Sequence, residues 1–252
     1  MRVGSSLGGA RPKAHVRDAD GNLAIAKFPS AANDTWNVMA WEKVALELAA
    51  QAGITVPAST LLNLAGRSVL VVDRFDRARD ADGGPAGRVG YVSAMTMLQS
   101  TDGEQGSYLE IAEAIETRSS HATADLRQLW RRIVFSILIS NTDDHLRNHG
   151  FLHEDGDTWR LSPAFDINPN PEPGPKHLST AIDLGDDTAS ISLALSVASY
   201  FRLSAEEAND VVAQVQTAAS HWPPVARQYG LSSQEATAMS WAFDAHSARA
   251  ST

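Results

Sequence analysis

The chain has 252 residues, 43% of them hydrophobic and 20% charged, which excludes a disordered or fibrous protein and allows one large domain or two lobes around a cleft. It has no cysteine, so a disulfide framework, a cysteine-ligated zinc and a thiol nucleophile are excluded. A formal charge of −9 disfavours direct nucleic-acid binding, and no stretch approaches the roughly 20 apolar residues of a membrane span; the expectation is a cytoplasmic protein.

The amino-terminal residues read as a glycine-rich turn and then a hairpin. Lys13 to Asp18 and Leu23 to Phe28 are strand-like, and Asp20-Gly21-Asn22 supplies the turn. From about Thr35 to Ala52, Val38, Trp41, Ala45, Leu48 and Ala49 recur at helical spacing, with Gly53 placed to stop the helix. Thr60 to Leu64 and Ser68 to Asp73 predict a second hairpin around Ala65-Gly66. Arg77 to Gly90 carries Gly, Pro and Asp but little that could enter a core, and reads as a surface loop. Helices are then expected over Tyr91–Gln99, Tyr108–Glu116 and Asp125–Ile139, the last opening on Asp125 as its cap. Phe151–His153 and Trp159–Leu161 predict a short hairpin across Glu154-Asp155-Gly156-Asp157. Alternating prolines from Pro169 to Pro175 exclude regular helix, and the chain is helical again from Ala189, with capping-box spacing from Ser204 to Glu207. The order predicts an α+β chain in two lobes: a strand-rich lobe over 1–76 and a mainly helical lobe over 77–252.

The densest polar cluster is Asn141-Thr142-Asp143-Asp144-His145-Leu146-Arg147-Asn148, directly after the apolar run Ile133 to Ile139. The separation of Asp143 and Asn148 equals that of the kinase catalytic loop, in which the aspartate takes the proton of the attacking hydroxyl and the asparagine holds magnesium. The His-Arg-Asp lead-in of that loop is absent. The predicted hairpin starting beside Asn148 ends just before Phe165-Asp166. It would return the Asn148 carbonyl and the Asp166 carboxylate to one place as hard oxygen ligands for Mg2+. Taken singly these residues also suit turns and caps, and Asp143, Asp144 and His145 would suit a metal hydrolase, a reading that leaves the amino-terminal half without a task. Lys27 shares a strand face with Leu23 and Ile25, where a charge needs a partner; Glu42, on a helix face with Met39, Ala45 and Leu46, is the candidate. The segment from Gly4 to Lys13 lacks GxGxxG but offers unhindered amides, Arg11 and Lys13 to a phosphate.

Gly4-Ser5-Ser6-Leu7-Gly8-Gly9-Ala10-Arg11-Pro12-Lys13, the Lys27 strand, Arg74-Phe75-Asp76-Arg77, the block from Asn141 to Gly150 and Leu161-Ser162-Pro163-Ala164-Phe165-Asp166 closely resemble, in order, the blocks of HipA-like kinases. The resemblance implies a bilobal, protein-kinase-like fold and an ATP- and Mg2+-dependent serine/threonine kinase. In it Asp143 is the catalytic base, Asn148 and Asp166 bind magnesium, Lys27 contacts phosphate with Glu42 orienting it, and Asp73, Arg74 and Phe75 form the adenine hinge. Nucleotide contacts extend to Ser6, Gly8, Gly9, Lys13, Asp76, His145 and Asn148, and Ser6 is the autophosphorylated serine. Implied partners are a protein substrate such as an aminoacyl-tRNA synthetase and a DNA-binding antitoxin. The resemblance also implies an amino-terminal subdomain ahead of the glycine-rich loop at which this chain begins, so the expectation is either that the chain is truncated or that a separate protein supplies that part. A helix-opening His-Asp pair expected near Tyr91-Val92-Ser93-Ala94 is missing. A nucleotide-binding corepressor with weak catalysis and a small-molecule phosphotransferase are the alternatives.

Overall fold

A computed structural model describes residues 11–17, 21–30, 34–79 and 85–244. The strand-rich half is an antiparallel sheet of β1 (Lys13–Arg17), β2 (Leu23–Lys27), β3 (Ser59–Leu64) and β4 (Arg67–Asp73), in the order β1-β2-β4-β3. Both expected hairpins form, and pairing of β2 with β4 joins them, Lys27 lying opposite Leu70. Between β2 and β3 runs α1 (Val38–Gln51), capped by the Asn37 side chain on the Ala40 amide. It is buried nearly all round, because the carboxy-terminal helices pack on the flank that the sheet leaves open. Trp41 sits 6.0 Å from Trp222 and 6.2 Å from Phe243, and Tyr229 donates to Glu47.

Arg77–Gly90 departs from the expected loop. It folds as a two-stranded ladder of β5 (Arg77–Arg79) and β6 (Pro85–Arg88). Backbone pairing alone holds such a ladder, so it leaves no apolar pattern to read. The helix expected from Tyr91 also begins late: Tyr91–Ser93 is β7, and only Ala94–Met97 is helical (α2), with Ser93 as its cap. Pairing with a strand distant in sequence overrides the local helical pattern there.

The larger half is built around α3 (Tyr108–Arg118) and α4 (Ala122–Leu138). Ser107 and Glu110 form a reciprocal capping box on α3. Asp125 is not the cap of α4, which starts at Ala122. Its buried carboxylate instead accepts from Ser119 Oγ (2.7 Å), the Leu161 amide (3.0 Å) and the Arg160 guanidinium. The predicted hairpin is present as β8 (Gly150–His153) and β9 (Trp159–Leu161), with β7 added on its other side. Beyond the irregular proline segment follow α5 (Ile191–Val197), α6 (Ala205–Ser220), α7 (Trp222–Gln228) and α8 (Ser233–Asp244), and Ser204 with Glu207 makes the expected box on α6. No helix among the described residues is long and apolar enough to cross a membrane.

Candidate active site

Strand alternation puts Ala24 and Ala26 on one face of β2 and Ile25 and Lys27 on the other, which forms a wall of a cleft of about 240 Å³. Lys27 is buried there among carboxylates. Its Nζ donates to Glu42 Oε1 (2.5 Å) and to Asp166 Oδ1 (2.8 Å), while Lys13 Nζ lies 3.9 Å from Asp166 Oδ2. Burial alone would neutralise Lys27, but Glu42 and Asp166 outweigh it and raise its pKa. Burial raises Glu42, despite Lys27 beside it. For Asp166 burial works upward, yet the charges of Lys27 and Lys13 and the hydrogen bonds from Lys27 and Asn168 prevail and hold the carboxyl at about 2. Two cations thus face two carboxylates, and Asp166, with 32% of its side chain exposed, forms the open end of the cluster. Asp166 also has φ +57°, a left-handed backbone that aspartate tolerates better than most residues and that turns its carboxylate back toward Lys27.

The rest of the cleft is apolar. Ile25, Leu46 and Val72 line it, and Phe75 closes it with its ring 5.6 Å from Phe165 and 6.1 Å from Tyr91. Asp73, Arg74 and Asp76 complete the lining at the end of β4. Asp76 accepts from Arg74 Nη2 (2.5 Å) and Arg77 Nη1 (2.6 Å), which fixes the strand exit. Lys13, Lys27, Glu42, the span from Asp73 to Asp76 and Asp166, singled out from distant parts of the sequence, therefore surround one space. Ser6, Gly8 and Gly9 lie outside the described residues.

The Asn141–Asn148 loop is tied to the segment after Asp166. Asn141 Oδ1 accepts from the Asn168 amide (3.1 Å), Ser140 O from the Asn170 amide (3.1 Å), and Asn170 Nδ2 donates to Thr142 Oγ1 (2.9 Å). Asp143 is exposed, and its carbonyl accepts from Asn148 Nδ2 (3.0 Å). That bond commits the Asn148 amide nitrogen and leaves Oδ1 as its ligating atom. Asn168 donates weakly to Asp166 (3.4 Å), and its own buried Oδ1 has no protein partner. Ionised carboxylate and amide oxygens are the hard donors that magnesium selects, so these residues fit that ion. Asp144 is a different kind of residue: buried, it accepts from Tyr108 Oη (2.5 Å) and Ser136 Oγ (3.0 Å), with His149 Nε2 3.2 Å away. His145 does not join the cleft. It lines a separate pocket with Met95, Asp102, Glu104, Arg147 and Ser179, and Asn148 lines a small cavity beneath the loop, with Phe165 in the wall of both that cavity and the cleft.

Sequence reading missed Tyr91, Asn168 and Arg132. Tyr91 sat inside an expected helix. Asn168 had a signal in its alternation with Asn170 at the start of the proline run. Arg132 had one too, as a charge three and four residues from Phe135 and Gln128 on the apolar α4.

A small antiparallel sheet with a glutamate-bearing helix on its buried lysine, joined to a mainly helical remainder that carries a polar loop, is a protein-kinase-like fold. HipA of Shewanella oneidensis MR-1, solved with HipB and operator DNA, superposes with a TM-score of 0.72 over 96% of this chain and 63% of that one. The Helicobacter pylori proinflammatory kinase CtkA gives 0.61 over 97% and 93%. Each is 15% identical in sequence, so these likenesses concern the fold. The HipA-like C-terminal domain family matches residues 5–222, and the chain belongs to that family. Among curated proteins, a Haemophilus influenzae protein named "Putative kinase" is 30% identical over 145 residues, 52% of this chain and 42% of its own length. The Sinorhizobium fredii protein "Putative kinase Y4dM" is 29% identical over 191 residues, 69% of this chain and again 42% of its own. The chain thus spans well under half the length of these curated relatives.

Proposed function

We propose that this chain is the catalytic part of an ATP- and Mg2+-dependent serine/threonine kinase of the HipA toxin type, its lobes divided near residue 76. The observation that carries the reading is Lys27, buried between Glu42 and Asp166 in a cleft with an aromatic floor. Magnesium would be held by Asn148 and Asp166, and ATP would occupy the cleft with its base toward Asp73–Phe75; together they supply an electrophilic phosphorus with its negative charge partly neutralised. Lys27 faces the phosphates, and Glu42 positions it. Lys13, close to Asp166, adds a second cation to the same wall. Asp143, exposed at the loop, accepts the proton of the attacking hydroxyl. His145 and Asp76 contribute less directly, His145 from its neighbouring pocket and Asp76 by fixing the strand exit.

The acceptor implied by the resemblance is a protein hydroxyl, with an aminoacyl-tRNA synthetase the first to try, and Ser6 is the site in cis. The HipB–operator complex of the Shewanella protein supports a DNA-binding antitoxin as partner for this chain too. The test is incubation with labelled ATP and Mg2+, alone and with a synthetase panel, followed by phosphosite mapping. Transfer that needs Asp143 supports the reading, and absence of both nucleotide binding and transfer overturns it. Failure to find phosphate on Ser6 removes the autophosphorylation step alone.

A further inference from the structure

Beneath the Asn141–Asn148 loop lies a second polar site outside the nucleotide cleft. Arg132, on α4, is only 4% exposed. Its Nη2 donates to Ser162 O (2.5 Å), in the segment that leads from β9 to Asp166. Its Nε and Nη1 are buried and have no protein partner, and the same holds for both ring nitrogens of His149, although Nε2 lies 3.2 Å from Asp144 Oδ1, off the line of a hydrogen bond. These groups line one small cavity with Asp144, Ser136, Asn141 and Asn148. Buried guanidinium N–H groups without an acceptor are costly, so such an arrangement persists when something bonds them. The cavity measures about 10 Å³, which is room for about one water. Donors outnumber acceptors on the Arg132 side, while the Asp144 carboxylate supplies the acceptor opposite. A single water that accepts from Arg132 and donates to Asp144 Oδ1 satisfies both.

We propose that Arg132 is a positioning residue that holds the Asp143–Asn148 loop in register with the Asp166 segment, directly through Ser162 and indirectly through one ordered water shared with Asp144. One end of the guanidinium grips the strand exit; the other reaches the underside of the loop. Burial lowers the pKa of Arg132, and Asp144 and Asp125 partly restore it, leaving it at about 10 and charged at neutral pH.

The catalytic consequence rests on the kinase reading above; the water and the loop's rigidity do not. Three measurements on the full chain test the inference: a high-resolution crystal structure, hydrogen exchange across residues 141–149, and kinetics of Arg132→Met and Arg132→Lys. Expected are an ordered water about 2.7–3.2 Å from an Arg132 nitrogen, and about tenfold faster exchange of the loop amides in Arg132→Met, with α5 to α8 unchanged. The kcat of that variant should fall by about 10–100-fold, as for other supporting residues behind a reactive group, with KM for ATP retained. Arg132→Lys, which keeps the charge and some donors, should recover part of both losses, and it serves in place of Arg132→Met if that variant does not fold. A dry cavity with Nε and Nη1 bonded to protein carbonyls, or loop exchange at the wild-type rate in Arg132→Met, overturns the proposal. If wild-type protein transfers no phosphate, the kinase reading fails, and the crystallographic and exchange results still decide the role of Arg132.

Discussion

Asp143 and Asp144 are neighbours in sequence and belong to two different polar regions. Asp143 is exposed on the loop, and its side chain is left to solvent. Asp144 points into the interior, where Tyr108, Ser136 and His149 surround its carboxylate and Thr180 Oγ1 donates to its carbonyl (2.7 Å). The same split separates the Lys27 cluster, which is open at Asp166, from the Arg132 cavity, which is closed. An open cluster of charges can exchange its partners for a ligand's, whereas a closed one stabilises only while every partner remains. An exposed and a buried carboxylate thus alternate along a single loop, and substitutions at the two aspartates should separate the proposed chemistry from the architecture.

The largest expected effect is on the open side. Asp143→Asn should lower phosphoryl transfer by about 10² to 10⁴, the usual contribution of a general base, and shift stability by less than about 0.5 kcal/mol, as expected at an exposed position. Nucleotide affinity should stay near wild type by calorimetry. Near-normal turnover would remove Asp143 from the mechanism. Asp144→Ala should do the opposite, destabilising the fold by about 3–5 kcal/mol because it leaves buried partners uncompensated. Denaturant unfolding measures this. A variant as stable as wild type would mean that the buried cluster contributes nothing to the loop.

The open side was the more legible in the sequence. Lys27, Glu42, Asp143 and Asp166 stood out because each is a polar residue where periodicity or loop context demands an explanation. Sheet membership was legible as well, since alternation over Leu23–Phe28 and Ser68–Asp73 is local. What escaped depends on contacts between distant segments. Asp125 looked like a cap because its partners Leu161 and Arg160 come from a hairpin far along the chain. Tyr91 looked helical because its strand partner, Leu152, is likewise remote. The direct Lys27–Asp166 bond joins residues 139 apart, a separation that no local pattern encodes.

Gly150 offers an intermediate test, because it links the loop to the cleft through Tyr91. A Cβ at this position would fall 2.3 Å from the Tyr91 ring, whose own ring contact is with Phe75 on the cleft floor. Gly150→Ala should therefore cost about 1–3 kcal/mol by overpacking, and push Tyr91 into the nucleotide space, so that ATP affinity falls as well. Restored affinity in Gly150→Ala with Tyr91→Leu would confirm the route. Weakened binding that Tyr91→Leu leaves uncorrected would place the effect in the loop itself.

The smallest effect is on acid stability, and its sign differs between the carboxylates. Asp144 and Asp166 both have lowered pKa values, Asp144 because its polar partners outweigh burial, Asp166 because Lys27 and Lys13 do. Their stabilisation is complete above the unfolded aspartate value of about 3.9. It is lost as pH falls through the folded values, about 2 for Asp166. Glu42 runs the other way: burial raises it, so its contribution weakens as pH rises from the unfolded value of about 4.3. Urea unfolding between pH 5 and pH 2 should show wild-type stability falling with acid, by less than about 1.4 kcal/mol per pH unit for each titrating group. Asp166→Asn should flatten part of that slope, and only part, because Asp166 is partly solvated and Asp144 still titrates. Glu42→Gln should steepen the fall, since it removes a carboxyl whose protonation in acid favours the folded state. An Asp166→Asn profile parallel to wild type would show that the lysines hold Asp166 no more firmly than water does, and the open cluster would then lack the charge coupling that its geometry implies.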